Sequence, residues 1–114
     1  MVYTAITLGE LFSQLDQHSW KNWVFTSDPQ SLNLETKCLI IDTNLAETGK
    51  DDFTPLIAEQ EGMLEFLSVQ DMLMVREYLK NVGFEANSQV ELFAVQYYFD
   101  RDAYPTKAEL MSRS

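Results

Sequence analysis

The chain has 114 residues, 46% of them hydrophobic, with seven Phe, five Tyr and two Trp. That size and composition describe one globular domain and exclude a disordered chain. Eighteen Asp and Glu against eight Lys and Arg leave a net charge of −10 at pH 7, which repels DNA, RNA and anionic lipid, because those surfaces need Lys and Arg to displace counterions.

The same field steers a basic protein or a cationic ligand toward the surface, and it also serves plain solubility. Apolar runs such as Cys38-Leu-Ile-Ile41 are far too short to span a membrane. Met1-Val-Tyr-Thr lacks a basic region followed by an apolar core, so no signal peptide is expected and the location is read as cytoplasmic. Cys38 is the only cysteine, which excludes an internal disulfide and a cysteine-based metal cluster.

In chain order, Thr7-Leu-Gly-Glu10 is a capping box, and Leu8, Leu11, Phe12 and Leu15 follow at one-face helical spacing. The pattern predicts a helix over residues 8–17. Residues 20–26, Trp-Lys-Asn-Trp-Val-Phe-Thr, read as a strand, and Ser27-Asp-Pro-Gln-Ser31 as a turn. Leu32 and Leu34 alternate with Asn33 and Glu35 as in a half-buried strand. Cys38-Leu-Ile-Ile41 suits a central strand covered on both faces, giving a meander of about three strands.

Residues 43–62 read as an acidic surface loop, with Gly49, Pro55 and Gly62 as breakers and a short element around Leu56-Ile-Ala58. Residues 63–67 return as a strand. Ser68 and Asp71 open a second helix whose apolar side is Met72, Val75, Tyr78, Leu79 and Val82, with Gly83 as its stop. Arg76 and Lys80 fall on the solvent side of that reading, and Leu73 and Met74 fall off the apolar stripe. Asn87 and Ser88 open a third helix, with Ser88 and Glu91 as its capping box. Val90, Phe93, Ala94 and Tyr97 make one apolar face, and Leu92, Val95 and Phe99 another. Glu91, Gln96 and Asp100 are left as the wet edge. A helix apolar on two sides is buried on both, or gives one side to a homodimer interface.

These elements predict one α+β domain over residues 1–104, a small antiparallel sheet of about 3–4 strands with about three helices packed on one face, and a C-terminal tail over 105–114 that frays.

Chemistry-bearing residues are sparse. His18, the only histidine, sits at a helix end, where imidazole commonly caps, and no Gly-x-Ser-x-Gly elbow accompanies it. Cys38 lies in the most apolar strand and reads as an inert small hydrophobe. Asp42-Thr-Asn44 begins like a calcium loop, but Ala46 and Glu47 occupy the positions that need a ligand and a glycine. With four glycines and no Walker loop there is no phosphate cradle. Neither a metal nor a cofactor is expected. The densest chemistry is Val95-Gln-Tyr-Tyr-Phe-Asp-Arg-Asp-Ala-Tyr104, where Asp100 and Asp102 flank Arg101. Such a segment serves either as an acid/base pair or as a polar lock, with Arg101 stacked on Tyr97 and paired to an aspartate.

The order of elements resembles a group of small, uncharacterised bacterial domains. The likeness rests on Thr7-Leu-x-Glu10, Trp20-x-x-Trp23-Val-Phe, Cys38-Leu-Ile-Ile-Asp42 and, most, Tyr97-Tyr-Phe-Asp-Arg-Asp-Ala-Tyr104, and covers about residues 6–104. Chains of this kind occur as products of mobile gene cassettes and beside toxin–immunity loci. The resemblance implies a compact acidic domain with no assigned catalytic residues.

The reading placed first is a non-enzymatic, immunity-like interaction domain that binds a basic protein partner. Its candidate contacts are Trp20, Trp23, Asp51, Asp52, Tyr98, Asp100, Asp102 and Tyr104. The alternative is a sensor domain for a cationic or apolar small ligand, with a pocket between the sheet and the third helix lined by Trp20, Trp23, Tyr97 and Tyr98. A carboxylate-based hydrolase using Asp100 or Asp102 comes third.

Overall fold

A computed structural model of the chain describes residues 3–50, 54–84 and 87–112. Four strands, β1 (Tyr3–Thr7), β2 (Trp23–Thr26), β3 (Lys37–Ile41) and β4 (Leu64–Ser68), form one antiparallel sheet in the order β1-β3-β2-β4. Five α-helices accompany it: α1 (Leu8–Ser13), α2 (Leu56–Gln60), α3 (Val69–Asn81), α4 (Ser88–Arg101) and α5 (Lys107–Met111). The fold is a small α+β domain, as the sequence pattern predicts.

Capping chemistry sets the helix starts. Thr7 with Glu10 and Ser68 with Asp71 each close a reciprocal box in which the hydroxyl accepts from the third residue's N–H and the carboxylate accepts from the cap's own. α1 stops at Ser13 and a 3-10 turn over Leu15–Gln17 completes the predicted segment, keeping Leu8, Leu11, Phe12 and Leu15 buried on one face. α3 ends where Gly83 takes a positive φ of 89°, the conformation a glycine adopts without steric cost.

Period-two alternation along β2 and β3 sends side chains to two cores. Val24, Cys38 and Ile40 join Leu8, Leu11, Val75 and Ala94 beneath the long helices. Phe25, Leu39 and Ile41 face the other way and pack with Ala58, Trp23 and Ile57. β3 is therefore covered on both faces, as its continuous apolar run predicts. The expectation that all helices share one face is corrected here. α2 lies on the opposite side because Leu39, Phe25 and Ile41 need an apolar cover, which Ala58 and Ile57 supply.

Further expectations are corrected, and one strand is new. β1 was not anticipated; its Tyr-Thr-Ala-Ile-Thr run pairs with β3 in register from Tyr3↔Ile41 to Thr7↔Lys37. Residues 32–35 form no strand, because Gly9 N–H takes the Leu34 carbonyl (2.9 Å) and holds this stretch against α1. α4 is capped by Asn87, whose side chain accepts from Gln89 and Val90 N–H (2.9 and 3.4 Å), rather than by a Ser88–Glu91 box. Glu91, expected on a wet edge, is 3% exposed and meets Arg76, expected in solvent. Arg76 Nε donates to Glu91 Oε2 at 2.8 Å, and its Nη2 donates to Glu91 Oε1 at 3.1 Å and to the Phe12 carbonyl. This one group ties α1, α3 and α4 together.

Residues after 104 do not trail away. Thr106 and Glu109 close a third capping box, and Leu110 is fully buried in the helix-side core. No helix among the described residues is long and apolar enough to cross a membrane.

Candidate functional site

α4 carries two successive tyrosines, and the helical turn between them sets their tasks. Tyr97 reaches toward α5, where its hydroxyl donates to Glu109 Oε1 (3.2 Å), and the Arg101 guanidinium lies 4.7 Å from its ring centre. Tyr98 turns toward Tyr104, with ring centres 5.4 Å apart, and Tyr104 stacks in turn on Tyr78 of α3 at 4.6 Å and 14°. The Tyr78 hydroxyl donates to the Pro105 carbonyl at 2.6 Å. Three tyrosines from α3, α4 and the following turn thus form one stack.

The turn that makes this stack is sharp. Asp102 takes a left-handed φ of 52° and donates its N–H to the Tyr98 carbonyl at 2.8 Å, stopping the helix within one residue. Aspartate tolerates that conformation better than branched residues do. Asp100 and Asp102 are both exposed at the helix end. Gln96 donates to the Pro29 carbonyl at 2.7 Å and lies 3.4 Å from Asp100 Oδ1.

Electrostatics around the stack favour a protonated phenol. Burial pushes the Tyr98 hydroxyl above its ordinary range, and the carboxylates of Asp71 and Asp102 push it further the same way. A phenol held neutral offers a hydrogen-bond donor and a π-face, not a base. Glu109 is held below the usual carboxylate range, first by the Thr106 N–H and hydroxyl, then by Tyr97 and Arg101. Glu109 is thus engaged in holding α5, while the exposed carboxylates of Asp100 and Asp102 lie beside the aromatic surface of the corner, a pattern suited to a guanidinium or ammonium group.

The candidate residues separate into groups. Tyr98, Asp100, Asp102 and Tyr104 gather at this corner. Trp23 is half-buried in the α2-side core, and Trp20 is 54% exposed in the turn before β2, with Lys21 Nζ 5.5 Å from its ring centre. Tyr98 packs on the helix-side core. Trp23 and Tyr98 thus lie on opposite faces of the sheet and cannot wall one pocket with Trp20 and Tyr97. Asp51 and Asp52 lie outside the described residues. Arg101 stacks on Tyr97 as its spacing suggests, but no aspartate pairs with it among the described residues. Tyr78 falls on the apolar stripe in the sequence pattern, and its hydrogen bond to Pro105 has no local sequence signal.

Other reactive groups stand apart. Burial, followed by the charge of Glu10, pushes the Cys38 thiol up to about 12, and its Sγ lies 3.3 Å from the Ile6 carbonyl. His18 Nε2 is buried without a hydrogen-bond partner among the described residues. Among those residues, no three His, Cys, Asp or Glu side chains converge to hold a metal ion.

A family model described as Domain of unknown function (DUF7716) matches residues 5–106. The chain belongs to this family. The match runs from within β1 through the Tyr98–Tyr104 stack to the cap of α5, so it holds most of both cores, with Tyr3 and Leu110 just outside it. No curated protein and no solved structure matches the chain.

Proposed function

We propose that this member of the DUF7716 family is a non-enzymatic, immunity-like interaction domain that binds a basic protein in the cytoplasm through the acidic tyrosine corner. The observation that carries the reading is the pairing of exposed Asp100 and Asp102, without a salt bridge among the described residues, with the half-buried rings of Tyr98 and Tyr104. Aromatic anchors beside rim carboxylates supply affinity and steering respectively. Support also comes from the resemblance of Tyr97–Tyr104 to bacterial cassette domains found beside toxin–immunity loci. The overall charge of −10 accelerates encounter with a cationic partner.

The test is co-expression with the basic product of an adjacent gene, followed by kinetics at low and high salt. Asp100→Asn with Asp102→Asn removes two charges while asparagine keeps the left-handed turn. Association at low salt should slow about tenfold, with the melting temperature unchanged. A complex indifferent both to salt and to this double substitution would remove the corner from the binding surface.

A further inference from the structure

The sheet has two edges, and they are not alike. The β4 edge carries Glu65, and its pairing with β2 is interrupted by a bulge between Trp23 and Phe25; charges and bulges are the usual devices that keep an edge from pairing with other chains. β1, at the other edge, reads Tyr-Thr-Ala-Ile-Thr with no charge, proline or bulge, and Thr4 and Ala5 are exposed.

The ladder shows which β1 groups point outward. Leu8 N–H bonds the Thr36 carbonyl at 2.9 Å, one step beyond the Thr7↔Lys37 pair. Since bonding alternates along an antiparallel pair, the even residues Thr4 and Ile6 bond inward to β3. The odd residues Tyr3, Ala5 and Thr7 turn their N–H and C=O away from it. Glu10 Oε1 already takes the Thr7 N–H at 3.1 Å. Tyr3 and Ala5 keep outward N–H and C=O groups with no partner among the described residues.

A residue opposite Tyr3 or Ala5 on an added strand would place its side chain on the same face as theirs, the α2 face. Two hollows lie there. One, of about 340 Å³, is formed by Tyr3, Leu45, Ala46, Leu56 and Ile57 with Glu47 at its wall. The other, of about 230 Å³, is formed by Ala5, Thr7, Leu39 and Met63 with Glu10 and Lys37. Each has room for one aliphatic side chain. Glu47 marks the Tyr3 end and Glu10 the Thr7 end, where Lys37, opposite Thr7 on β3, is the one cation in the lining of either hollow. A second copy of this chain, at −10, is a poorer occupant than a cationic segment.

From these placements we infer that the outer edge of β1 is a strand-addition site for an extended segment of a partner, running antiparallel to β1, with aliphatic residues at two alternate positions and basic residues at both ends. Main-chain bonds to Tyr3 and Ala5 supply affinity and the two hollows supply selectivity, the logic of strand-addition recognition. This surface is separate from the tyrosine corner.

The probe is the end-blocked peptide Lys-Thr-Val-Thr-Val-Thr-Arg, in which the basic and aliphatic residues share one face, titrated to about 1 mM into isotope-labelled protein while amide resonances are followed. Saturable shifts are expected at Tyr3 and Ala5, and none with Glu-Thr-Val-Thr-Val-Thr-Glu. Ala5→Pro removes an outward N–H that the fold does not use, and should weaken binding about tenfold. Glu10→Gln with Glu47→Gln, in which glutamine still closes the capping box, should weaken it similarly and flatten its salt dependence. This second pair decides the matter should Ala5→Pro fail to fold. Asp100→Asn with Asp102→Asn should bind the peptide as the unsubstituted protein does, which separates this site from the corner. Silence at Tyr3 and Ala5 with the basic peptide overturns the inference. So does sedimentation showing a dimer that Ala5→Pro dissolves, since the edge would then belong to a second copy.

Discussion

Replacing Arg76 by Met is the most informative single change in this fold. Arg76 has a side chain 26% exposed, while its partner Glu91 has one only 5% exposed. Methionine preserves the aliphatic stem but leaves the Glu91 carboxylate and the Phe12 carbonyl without their shared donor. Breaking a buried ion pair from one side costs about 3–5 kcal/mol, and the partial exposure of Arg76 places the expected loss near the lower end, about 3 kcal/mol. Against a total stability of about 5–15 kcal/mol, that lowers the melting temperature by about 10 °C. Glu91→Gln should cost less, about 1–2 kcal/mol, because the guanidinium keeps Phe12 and some water. Substituting Met at both positions should recover much of the loss, since an apolar pair of similar volume commonly equals a buried bridge. The assay is urea unfolding followed by circular dichroism for the wild type, both single variants and the double. An Arg76→Met loss below about 0.5 kcal/mol, the size typical of surface changes, would refute the reasoning.

Leu110→Ala should cost about 2–4 kcal/mol by urea unfolding, because its fully buried side chain fills the helix-side core; a frayed tail would leave stability unchanged. Cys38 should resist iodoacetamide at pH 8 in native buffer and react within minutes in denaturant, since burial pushes its thiol up to about 12; fast native labelling would contradict its placement. Glu109 is held below the usual carboxylate range, so its contribution is present above its unfolded-state pKa and is lost as pH falls through the lower folded value. Release of α5, read by amide exchange at Leu110, should therefore steepen under acid, and Glu109→Gln should abolish that acid dependence. Asp102→Gly should raise stability by about 0.5–1 kcal/mol, because the residue sits at φ 52°; a loss would mean its carboxylate contributes more than its strain costs.

The sequence pattern made α1, α3, the β3 strand and the break at Gly83 legible because each rests on local chemistry: a capping box, a 3.6-residue stripe, a continuous apolar run, a glycine at positive φ. It failed where a distant partner decides the local role. Arg76 sits at i+4 in the buried series Met72, Val75, Arg76, Leu79, and Glu91 sits within Val90, Glu91, Ala94, Val95. Two charges at stripe positions on successive helices were a signal for a buried bridge, but Ser88 three residues before Glu91 offered a nearer explanation. Asn87 prevails as the cap because its side chain reaches two amides, which frees Glu91. β1 was missed because a five-residue uncharged run beside a capping box carries little information of its own. The α5 segment carries a local signal, the Thr106-x-x-Glu109 capping box, but the helix it opens has only five residues, and the Tyr78–Pro105 bond that anchors it joins residues 27 positions apart.

The candidate site was legible in part for the same reason. Tyr97 to Tyr104 stood out by density, and its residues do gather. What the sequence could not supply is the division of labour, which follows from the helical turn between neighbours. Tyr97, Arg101 and Glu109 hold α5 in place, whereas Tyr98 and Tyr104 stack with Tyr78 beside exposed Asp100 and Asp102. Trp20 and Trp23, only three residues apart, are parted differently: one is exposed in a turn, and the other enters the core beneath α2. Among the described residues, the exposed carboxylates at the end of α4 and the outward amides of β1 are two places that keep polar groups at the surface, both acidic or flanked by acid. The fold thus satisfies its buried charge internally through Arg76 and Glu91, whereas among the described residues Asp100 and Asp102 stand exposed at the surface without a salt bridge.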